Sequence, residues 1–408
     1  MGNKPRIRFK GFTEDWEQCK LGDLLILLKD GSHGTHKNTS EGVYLLSAKN
    51  IKNGRINIMP DDRIISWDDY NVIHKNYELQ IGDILLTIVG SIGETAIYNL
   101  KMKITFQRSV AFLRPNSKLK NGFLYTLINT DRFQNQLQTK QVVSAQPGIY
   151  LGDLASINIT YPKNVSEQEK IYNIFKGIED SITLHQCKLE KLKLTKKALL
   201  QKLFPKNGEH IPEIRFKGFT DAWEQCKLGV LAEIVRGASP RPISDPKWFD
   251  NNSNVGWLRI ADVTAQDGRI RYLDQKISEL GQEKTRVIKT PHLLLSIAAT
   301  VGKPVINYVP TGVHDGFLIF LNPKFDILYT FWWLEMFREK WNKYGQPGSQ
   351  VNLNSDLVKN QVINIPNEKE QEKISSFLEA LDKIITLHQR KLERLQEVKK
   401  GLLQKMFV

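Results

Sequence analysis

Residues 166–204 read SEQEKIYNIFKGIEDSITLHQCKLEKLKLTKKALLQKLF, and residues 369–407 read KEQEKISSFLEALDKIITLHQRKLERLQEVKKGLLQKMF. The two segments match at eight of the nine positions from Ile182 to Glu190 and from Ile385 to Glu393. Each has the periodicity of one long helix. A sequence that contains an internal repeat is best interpreted repeat by repeat.

A second repeat precedes each helix. Residues 7–22 read IRFKGFTEDWEQCKLG and residues 214–229 read IRFKGFTDAWEQCKLG, with fourteen identities in sixteen positions. We call these the head segments, and we expect Phe9, Phe12 and Trp16 to pack the first of them onto its domain and helix. The repeats recur at offsets of 203 and 207 residues. The chain is therefore one unit written twice, each a globular segment followed by a long helix.

The apolar side chains of both helices follow a heptad pattern, with steps that alternate between four and three residues. The positions are Ile171, Phe175, Ile178, Ile182, His185, Leu189, Leu192, Lys196, Leu199 and Leu203 in the first helix, and Ile374, Leu378, Leu381, Ile385, His388, Leu392, Leu395, Lys399, Leu402 and Met406 in the second. Such a narrow stripe, roughly 50 Å long, needs a partner helix to cover it. We predict that the two helices pair as an antiparallel coiled coil.

Two polar residues interrupt each stripe at matching places. His185 corresponds to His388, and Lys196 corresponds to Lys399. One interpretation is that these side chains extend out of a tolerant stripe into solvent. The other is that they fix the register of the helix pair, as polar residues at such positions can.

The composition indicates two or three globular domains and a nucleic-acid partner. The chain has 408 residues, 41% of them hydrophobic, and its 58 Lys and Arg exceed its 44 Asp and Glu to give a net charge of +14. Excess positive charge favours polyanions as binding partners.

The segment Met1–Arg8 is too polar for a signal peptide, and no apolar run reaches the length of a membrane span, about 18 residues. Cys19, Cys187 and Cys226 lack metal-ligand spacing. Cys19 and Cys226 are repeat equivalents, so we expect no disulfide framework and a reducing cytoplasm.

The globular segments read as mixtures of strands and helices. We predict strands at 44–48, 84–89, 111–113, 156–160, 257–260, 293–298, 318–321 and 362–365, and helices at 122–138 and 327–344. Three tripeptide pairs align between the units: 49–51 with 261–263, 54–56 with 268–270, and 91–93 with 300–302. The predicted fold class is α+β, with two similar mixed α/β domains separated by two long helices in a pseudo-twofold repeat.

The sequence lacks the motifs of common active sites. It has no GxGxxG after a predicted strand, no Walker A sequence, no HExxH and no GxSxG. Glu397-Val398-Lys399 has the ExK pattern of some nucleases, but it lies on the predicted coil. A duplicated basic chain without such motifs is typical of a recognition protein.

The order of domain, EQEKI helix, second domain and near-identical helix resembles the specificity subunit of type I restriction-modification systems. The residues that carry this resemblance are 167–171 and 370–374, each preceded by a proline, Pro162 or Pro366. The resemblance covers essentially the whole chain. It implies a first target-recognition domain at 1–162, a central coiled-coil helix at 163–206, a second target-recognition domain at 207–366 and a C-terminal coiled-coil helix at 367–408.

The resemblance also implies a function. Each domain would read one half of a bipartite, asymmetric site on double-stranded DNA, and the helices would set the spacing. The chain would be a cytoplasmic, non-catalytic subunit without a cofactor or metal of its own. Its partners would be two methyltransferase subunits, which bind S-adenosylmethionine, and, where present, two restriction subunits, which use ATP and Mg²⁺.

Polar and basic side chains in the loops of each domain are candidate DNA contacts, because Arg and Lys reach guanine and phosphates while Asn and Gln pair with adenine. In the first domain they are Lys29, His33, His36, Lys37, Lys49, Arg63, Arg108 and Gln146. In the second they are Arg236, Ser239, Arg241, Lys247, Arg259, Arg269, Lys303, Gln346, Ser349 and Gln350. The alternative for each is ordinary solvated surface.

A second hypothesis about function stays open at this point. The chain could be a stand-alone DNA-binding or scaffold protein that dimerises through its helices and has no methyltransferase partner. Purification with such a partner would separate the two hypotheses.

Overall fold

A computed structural model of the chain describes residues 4–142, 147–206, 208–297, 300–344 and 353–408. The chain forms two compact units. The first unit contains Met1–Gln186 and Arg390–Val408, and the second contains Cys187–Gln389. The chain therefore passes from one unit to the other twice, once within each long helix.

The first unit contains a four-stranded antiparallel sheet and a three-stranded mixed sheet. Its strands are β1 (Glu17–Lys20), β2 (Leu25–Asp30), β3 (Val43–Leu46), β4 (Ile51–Lys52), β5 (Arg55–Ile56), β6 (Arg63–Ile65), β7 (Ile84–Thr87), β8 (Thr95–Ile97), β9 (Ile104–Phe106), β10 (Val110–Pro115) and β11 (Asn158–Tyr161). Its helices are α1 (Trp67–Ile73), α2 (Asn121–Ile128), α3 (Asp131–Thr139), α4 (Leu151–Ala155) and the first part of α5 (Val165–Lys202). The sheets have the orders β2-β10-β7-β8 and β6-β3-β9, and β1 pairs with β11.

The second unit repeats this plan. Its strands are β12 (Glu224–Lys227), β13 (Glu233–Arg236), β14 (Gly256–Trp257), β15 (Arg269–Ile270), β16 (Arg286–Ile288), β17 (Leu293–Ser296), β18 (Pro304–Asn307), β19 (Thr311–Val313), β20 (Phe317–Leu321) and β21 (Val362–Ile365). Its helices are α6 (Leu228–Leu231), α7 (Ile260–Ala265), α8 (Glu279–Gln282), α9 (Ile327–Phe337), α10 (Ser355–Asn360) and most of α11 (Glu368–Met406). The order β13-β20-β17-β18-β15 matches the main sheet of the first unit, with one strand added.

The mixed fold class with two similar domains is confirmed. The aligned tripeptides also occupy equivalent places: the side chain of Asn50 accepts the N–H of Ser47 at 2.9 Å, and that of Asp262 accepts the N–H of Arg259 at 2.9 Å. In both units, therefore, the third residue of a short helical turn accepts the N–H of the residue that precedes the turn.

Three predicted elements differ from the structure. The helix predicted at 122–138 is two helices, because the Thr130 hydroxyl accepts the Phe133 N–H and starts a new N-terminus there. The helix predicted at 327–344 becomes a 3-10 helix at Arg338–Tyr344. The strand predicted at 257–260 ends at Trp257, because Arg259 caps the following helix.

Each head segment is fixed to the start of the long helix of its own unit by a buried ion pair. Arg8 donates from Nε and Nη2 to the two carboxylate oxygens of Glu167 at 2.7 and 2.8 Å. Arg215 makes the same forked contact with Glu370, with both distances 2.8 Å. Both glutamates are fully buried. The EQEKI motif therefore supplies the anchor for the arginine of the IRFKG motif.

Each head segment also contacts the C-terminal end of the other copy of the helix. In the first unit the N–H of Ile7 donates to the carbonyl of Lys405 at 2.9 Å, and in the second the N–H of Ile214 donates to that of Lys202 at 3.0 Å. These bonds satisfy carbonyls that a helix end otherwise leaves without a partner.

The phenylalanine that follows the end of each long helix completes an aromatic cluster in the core. Phe407 packs against Trp16 and Phe123 with ring centroids 6.0 and 5.5 Å apart. Phe204 lies 5.4 Å from Tyr329 in the equivalent cluster of the second unit. The LLQKLF and LLQKMF ends of the helices are therefore core segments of these units.

In the first unit, the start of α5 packs against the end of α11. Ile171 and Phe175 lie in one buried cluster with Met406. One helical turn further along α5, Glu179 pairs with Lys399 at 2.8 Å. Because early residues of one helix meet late residues of the other, the two segments are antiparallel.

In the second unit, the end of α5 packs against the start of α11. Leu203 shares a buried cluster with Ile374 and Leu378, and Lys196 forms an ion pair with Asp382. These segments are also antiparallel. All twenty heptad positions are buried or half-buried, including both histidines.

The lysines that interrupt the stripe pair across the two helices in equivalent positions. Lys196 and Lys399 are repeat equivalents, and so are their partners, Asp382 and Glu179. These contacts favour a register-fixing role over simple extension into solvent. The same role for the histidines stays a prediction.

We expect a circularly permuted chain to fold. Nine residues join Phe204 to Ile214, whereas Val408 and residues 1–6 provide seven when the original ends are fused. A permutant that begins at Gly208, with the original ends joined through two added residues, keeps both helix-end contacts. Its thermal midpoint should lie within about 5 °C of the original, since each 1 kcal/mol corresponds to roughly 2–4 °C in units of this size. Calorimetry would measure this, and an unfolded permutant would contradict the equivalence of the two junctions.

Candidate nucleic-acid interface

In both units the backbone of a candidate loop crosses closely over the backbone of a neighbouring strand at a glycine, and we call this contact the backbone crossing. The Gly31 N–H donates to the Val110 carbonyl at 3.0 Å, and the Gly237 N–H donates to the Phe317 carbonyl at 2.9 Å. A Cβ on either glycine would lie 2.1 Å from a backbone carbonyl oxygen, so a larger residue would not fit. The crossing aligns the two units residue by residue at this surface.

In the first unit, two candidates hold the loop at 31–37 in shape. His36 hydrogen-bonds through Nδ1 to Asp69 at 3.1 Å and through Nε2 to the Ser32 hydroxyl at 2.6 Å. The contact with His36 lowers the pKa of Asp69. Arg63 donates to the backbone carbonyl of His36. His36 and Arg63 therefore order the loop, and their outward donors are largely occupied.

The remaining described candidates of the first unit are exposed. They are Lys29, His33, Lys37, Lys49 and Arg108. The loops that carry them meet: the Arg108 N–H donates to the Ser32 carbonyl at 3.0 Å, and the Ala48 N–H donates to the Ser109 hydroxyl at 3.0 Å. A basic surface therefore spans 31–37, 48–50 and 107–109, as phosphate binding requires.

Two of these exposed side chains have acidic partners. Lys49 pairs with Asp62 at 2.8 Å, and this hydrogen bond raises the pKa of Lys49. His33 Nε2 lies 2.6 Å from an Asp30 oxygen. The Lys49 ammonium and the His33 ring both stay accessible to solvent. A DNA phosphate that binds either group would compete with its carboxylate partner.

In the second unit, a carboxylate organises the candidate surface. Asp315 accepts the Ser239 hydroxyl on Oδ1 at 2.8 Å and Arg241 Nη2 on Oδ2 at 2.8 Å. Arg236 Nε donates to the Asp315 carbonyl at 2.6 Å. Burial acts to raise the pKa of Asp315, but the bond from Ser239 and the nearby arginines outweigh it and lower the pKa. By the backbone crossing, Asp315 is equivalent to Arg108.

Arg259 is held in the same way by a second carboxylate. Its Nε and Nη2 donate to Asp262 at 3.0 and 2.8 Å, and the hydrogen bonds raise the pKa of Arg259. The first unit has Ser47 at the equivalent cap, so this arginine belongs to the second unit alone.

These side chains surround an open cavity of about 300 Å³, which we call the arginine cavity. Its lining residues are Ser239, Arg241, Ile243, Trp257, Arg259, Ile260, His314 and Asp315. The structure thus brings together three of the candidates, Ser239, Arg241 and Arg259. Sequence reasoning missed Trp257, His314 and Asp315, which lie at or near strand ends outside the loops selected. Alignment of Arg108 with Asp315 would have found the last of these.

Two candidates of the second unit need correction. The Arg269 side chain is 11% exposed, pairs with Glu379 and lies 3.6 Å from the centre of the Phe331 ring. The Lys303 side chain is 12% exposed and lies 2.6 Å from Asp267. Both residues are half-buried and their cations are paired with carboxylates, so we assign them structural roles in place of DNA contact.

The other candidates of the second unit fall into two groups. Lys247 is exposed, pairs with Asp245 at 2.8 Å and lies over the Trp248 ring. Arg236 is exposed beside Asp315. Gln346, Ser349 and Gln350 lie outside the described residues, as does Gln146 among the candidates of the first unit.

The described residues contain neither a metal-binding cluster nor a membrane-spanning helix. No group of three or more His, Cys, Asp or Glu side chains in that part of the chain could hold a metal ion. None of the helices described there has a stretch apolar and long enough to cross a bilayer.

Comparison with known proteins places the chain in a family. The model of the type I restriction modification DNA specificity domain matches twice, at residues 13–194 and 220–397. The chain belongs to this family. Each specificity-domain match begins within a head segment and ends within a long helix, so the duplication seen in the sequence is the duplication of this domain.

Individual relatives align with this chain along nearly its whole length. Two Methanocaldococcus jannaschii proteins, named as the MjaX and MjaVIII type I restriction enzyme specificity subunits, are 24% and 23% identical, and each alignment spans 96% of this chain and over 90% of the relative. A crystal structure of the S subunit of a type I restriction-modification system from M. genitalium superposes with a TM-score of 0.64 at 14% identity, covering 99% of both chains. The resemblance and the fold are therefore confirmed.

Proposed function

We propose that the chain is the DNA-recognition subunit of a type I restriction-modification complex. Each unit binds one half of a bipartite, asymmetric double-stranded site. The observation that carries this proposal is the pair of equivalent positions Arg108 and Asp315. At this position of the shared backbone, the first unit has an exposed arginine, whereas the second has a carboxylate that accepts from Arg241. The two surfaces therefore suit different base sequences.

The antiparallel helix segments support a spacing role. Their polar contacts, Glu179 with Lys399 and Lys196 with Asp382, fix how the helices align within each unit. A coil of roughly 50 Å is on the scale of one to two turns of DNA, about 34 Å each. We propose that this coil holds the two readers at a set separation.

The catalytic steps belong to partner subunits in this proposal. Two methyltransferase subunits bind S-adenosylmethionine and methylate adenine, and restriction subunits, where present, use ATP and Mg²⁺. The chain itself acts in the cytoplasm without a cofactor. The alternative, a scaffold that dimerises through its heptad stripe, is disfavoured because both ends of the stripe are already covered within the units.

Selection from a random duplex library should yield two unlike motifs at one fixed separation. The variant R108A should alter only one half-site and R241A only the other, with about tenfold lower affinity for the original site in each case. Co-purification with the methyltransferase subunit at two per chain would support the complex. A single palindromic motif, or binding without sequence preference, would favour the dimeric scaffold and overturn the proposal.

A further inference from the structure

The arginine cavity contains hydrogen-bond donors that the protein leaves unused. Asp262 occupies Nε and Nη2 of Arg259, but Nη1 has no hydrogen-bond partner among the residues the structure describes. The Nδ1 of His314 accepts the Gly316 N–H at 2.9 Å, which places the proton of a neutral ring on Nε2. Burial lowers the pKa of His314 and favours that neutral form. Within the described residues, Nε2 also lacks a partner.

The carboxylates near the cavity already accept a hydrogen bond on every oxygen. Both oxygens of Asp262, which lies outside the lining, accept from Arg259, and those of Asp315 accept from Ser239 and Arg241. Arg259 Nη1 and His314 Nε2 are therefore the donors that the cavity offers, and they suit a ligand edge made of acceptors. In the major groove, the base edge with two adjacent acceptors is that of guanine, at O6 and N7.

The walls of the cavity favour a base over a phosphate. Trp257, Ile243 and Ile260 give it an apolar side, and Trp257 lies 5.8 Å from the His314 ring. Binding to phosphates depends mainly on neutralising charge and needs no apolar wall, whereas a flat base edge gains from a preorganised donor next to one.

We propose that the arginine cavity reads a guanine in the half-site of the second unit. Arg259 and His314 donate to the guanine edge, and Asp262 and Asp315 are positioning residues. This inference rests on the proposed function. The first unit has Ser47 and Gln107 at the positions of Arg259 and His314, so it lacks this reader and its half-site has no guanine requirement from this element.

The test compares two reader variants with one control in the random-duplex selection. R259K keeps the charge but loses the guanidinium fork, and H314N keeps an acceptor near Nδ1 but loses the Nε2 donor. Arg271 is an exposed arginine that does not line the cavity, so R271Q is the matched control. We expect R259K and H314N to relax the preference for guanine at the same base pair by about tenfold, while every other position is unchanged.

The outcomes separate the inference from the proposed function. If the original chain selects no bipartite motif, the proposed function fails. If it does, but R259K and H314N weaken all sequences equally, the cavity binds phosphate and the inference is overturned. Relaxation at a position other than a guanine, or at two different base pairs, also overturns it. Thermal unfolding checks each variant, and if R259K is unfolded, H314N decides the result.

Discussion

Replacing Arg8 with Met should destabilise the first unit by about 3–5 kcal/mol. The expected loss is large because the substitution leaves the carboxylate of Glu167, which is fully buried, without its ionic partner. Both oxygens of Glu167 accept from Arg8. Methionine fills much of the arginine stem volume, so the effect reports the lost pairing and not a cavity.

The equivalent change in the second unit should cost less. Glu370 accepts from Trp223 Nε1 at 3.2 Å as well as from Arg215, so R215M leaves it one donor. Among the described residues the equivalent Trp16 Nε1 has no hydrogen-bond partner, and Glu167 gains no such support there. Two positions that match in sequence thus differ in how much each depends on its arginine.

Calorimetry of the full chain should show the midpoint of the affected transition lowered by about 10 °C in R8M and by less in R215M. Arg6 is exposed two residues before Arg8, so R6M is the control and should change stability by less than about 0.5 kcal/mol. Equal shifts in all three variants would show that the ion pairs do not anchor the head segments.

The parts of the fold that could be predicted from the sequence are those whose sequence occurs in both repeats. Trp16 and Trp223, the EQEKI starts and the phenylalanines that end the helices recur because both cores need the same contacts. Heptad spacing predicted which helix positions are covered because it depends only on neighbours along one helix. The break at Thr130 was not predictable from periodicity, because a cap side chain decided it.

The candidate site was harder to predict because exposure depends on distant neighbours. The Gly-Arg-Ile tripeptides at 54–56 and 268–270 place Arg55 and Arg269 at equivalent positions, yet Arg55 is exposed whereas the Arg269 side chain is only 11% exposed. The difference arises on the long helices, where α11 has Glu379 beneath Arg269 and α5 has Lys176 at the same repeat position. The carboxylate of Glu379 therefore decides that Arg269 forms a largely shielded ion pair, whereas Arg55 remains exposed at the surface.

Inserting seven residues into α5 alone, after Gln186, should reduce affinity for the original DNA site by about 100-fold or more. The inserted heptad adds about 10.5 Å of helix. The other crossing between the units, at Gln389 and Arg390 in α11, keeps its length. The contacts inside both units cannot all be kept with unequal connections, so at least one half-site is lost and binding falls toward the non-specific level.

Inserting the same heptad at both crossings is the matched control for folding. Every contact within each unit lies on one side of the insertions, so stability should stay within about 1 kcal/mol of the original chain. If the coil sets the separation of the readers, selection with this double variant should yield half-sites about 3 base pairs further apart, since 10.5 Å is roughly three steps of 3.4 Å.

The reselected site should also bind more weakly than the original. Three base pairs turn the duplex by roughly 100°, whereas a heptad turns the coil very little, so the DNA must twist to present both half-sites. The measurement is affinity across a series of spacer lengths for the original chain and both insertion variants. If the double variant kept the original spacing at the original affinity, something other than the helices would hold the two readers apart.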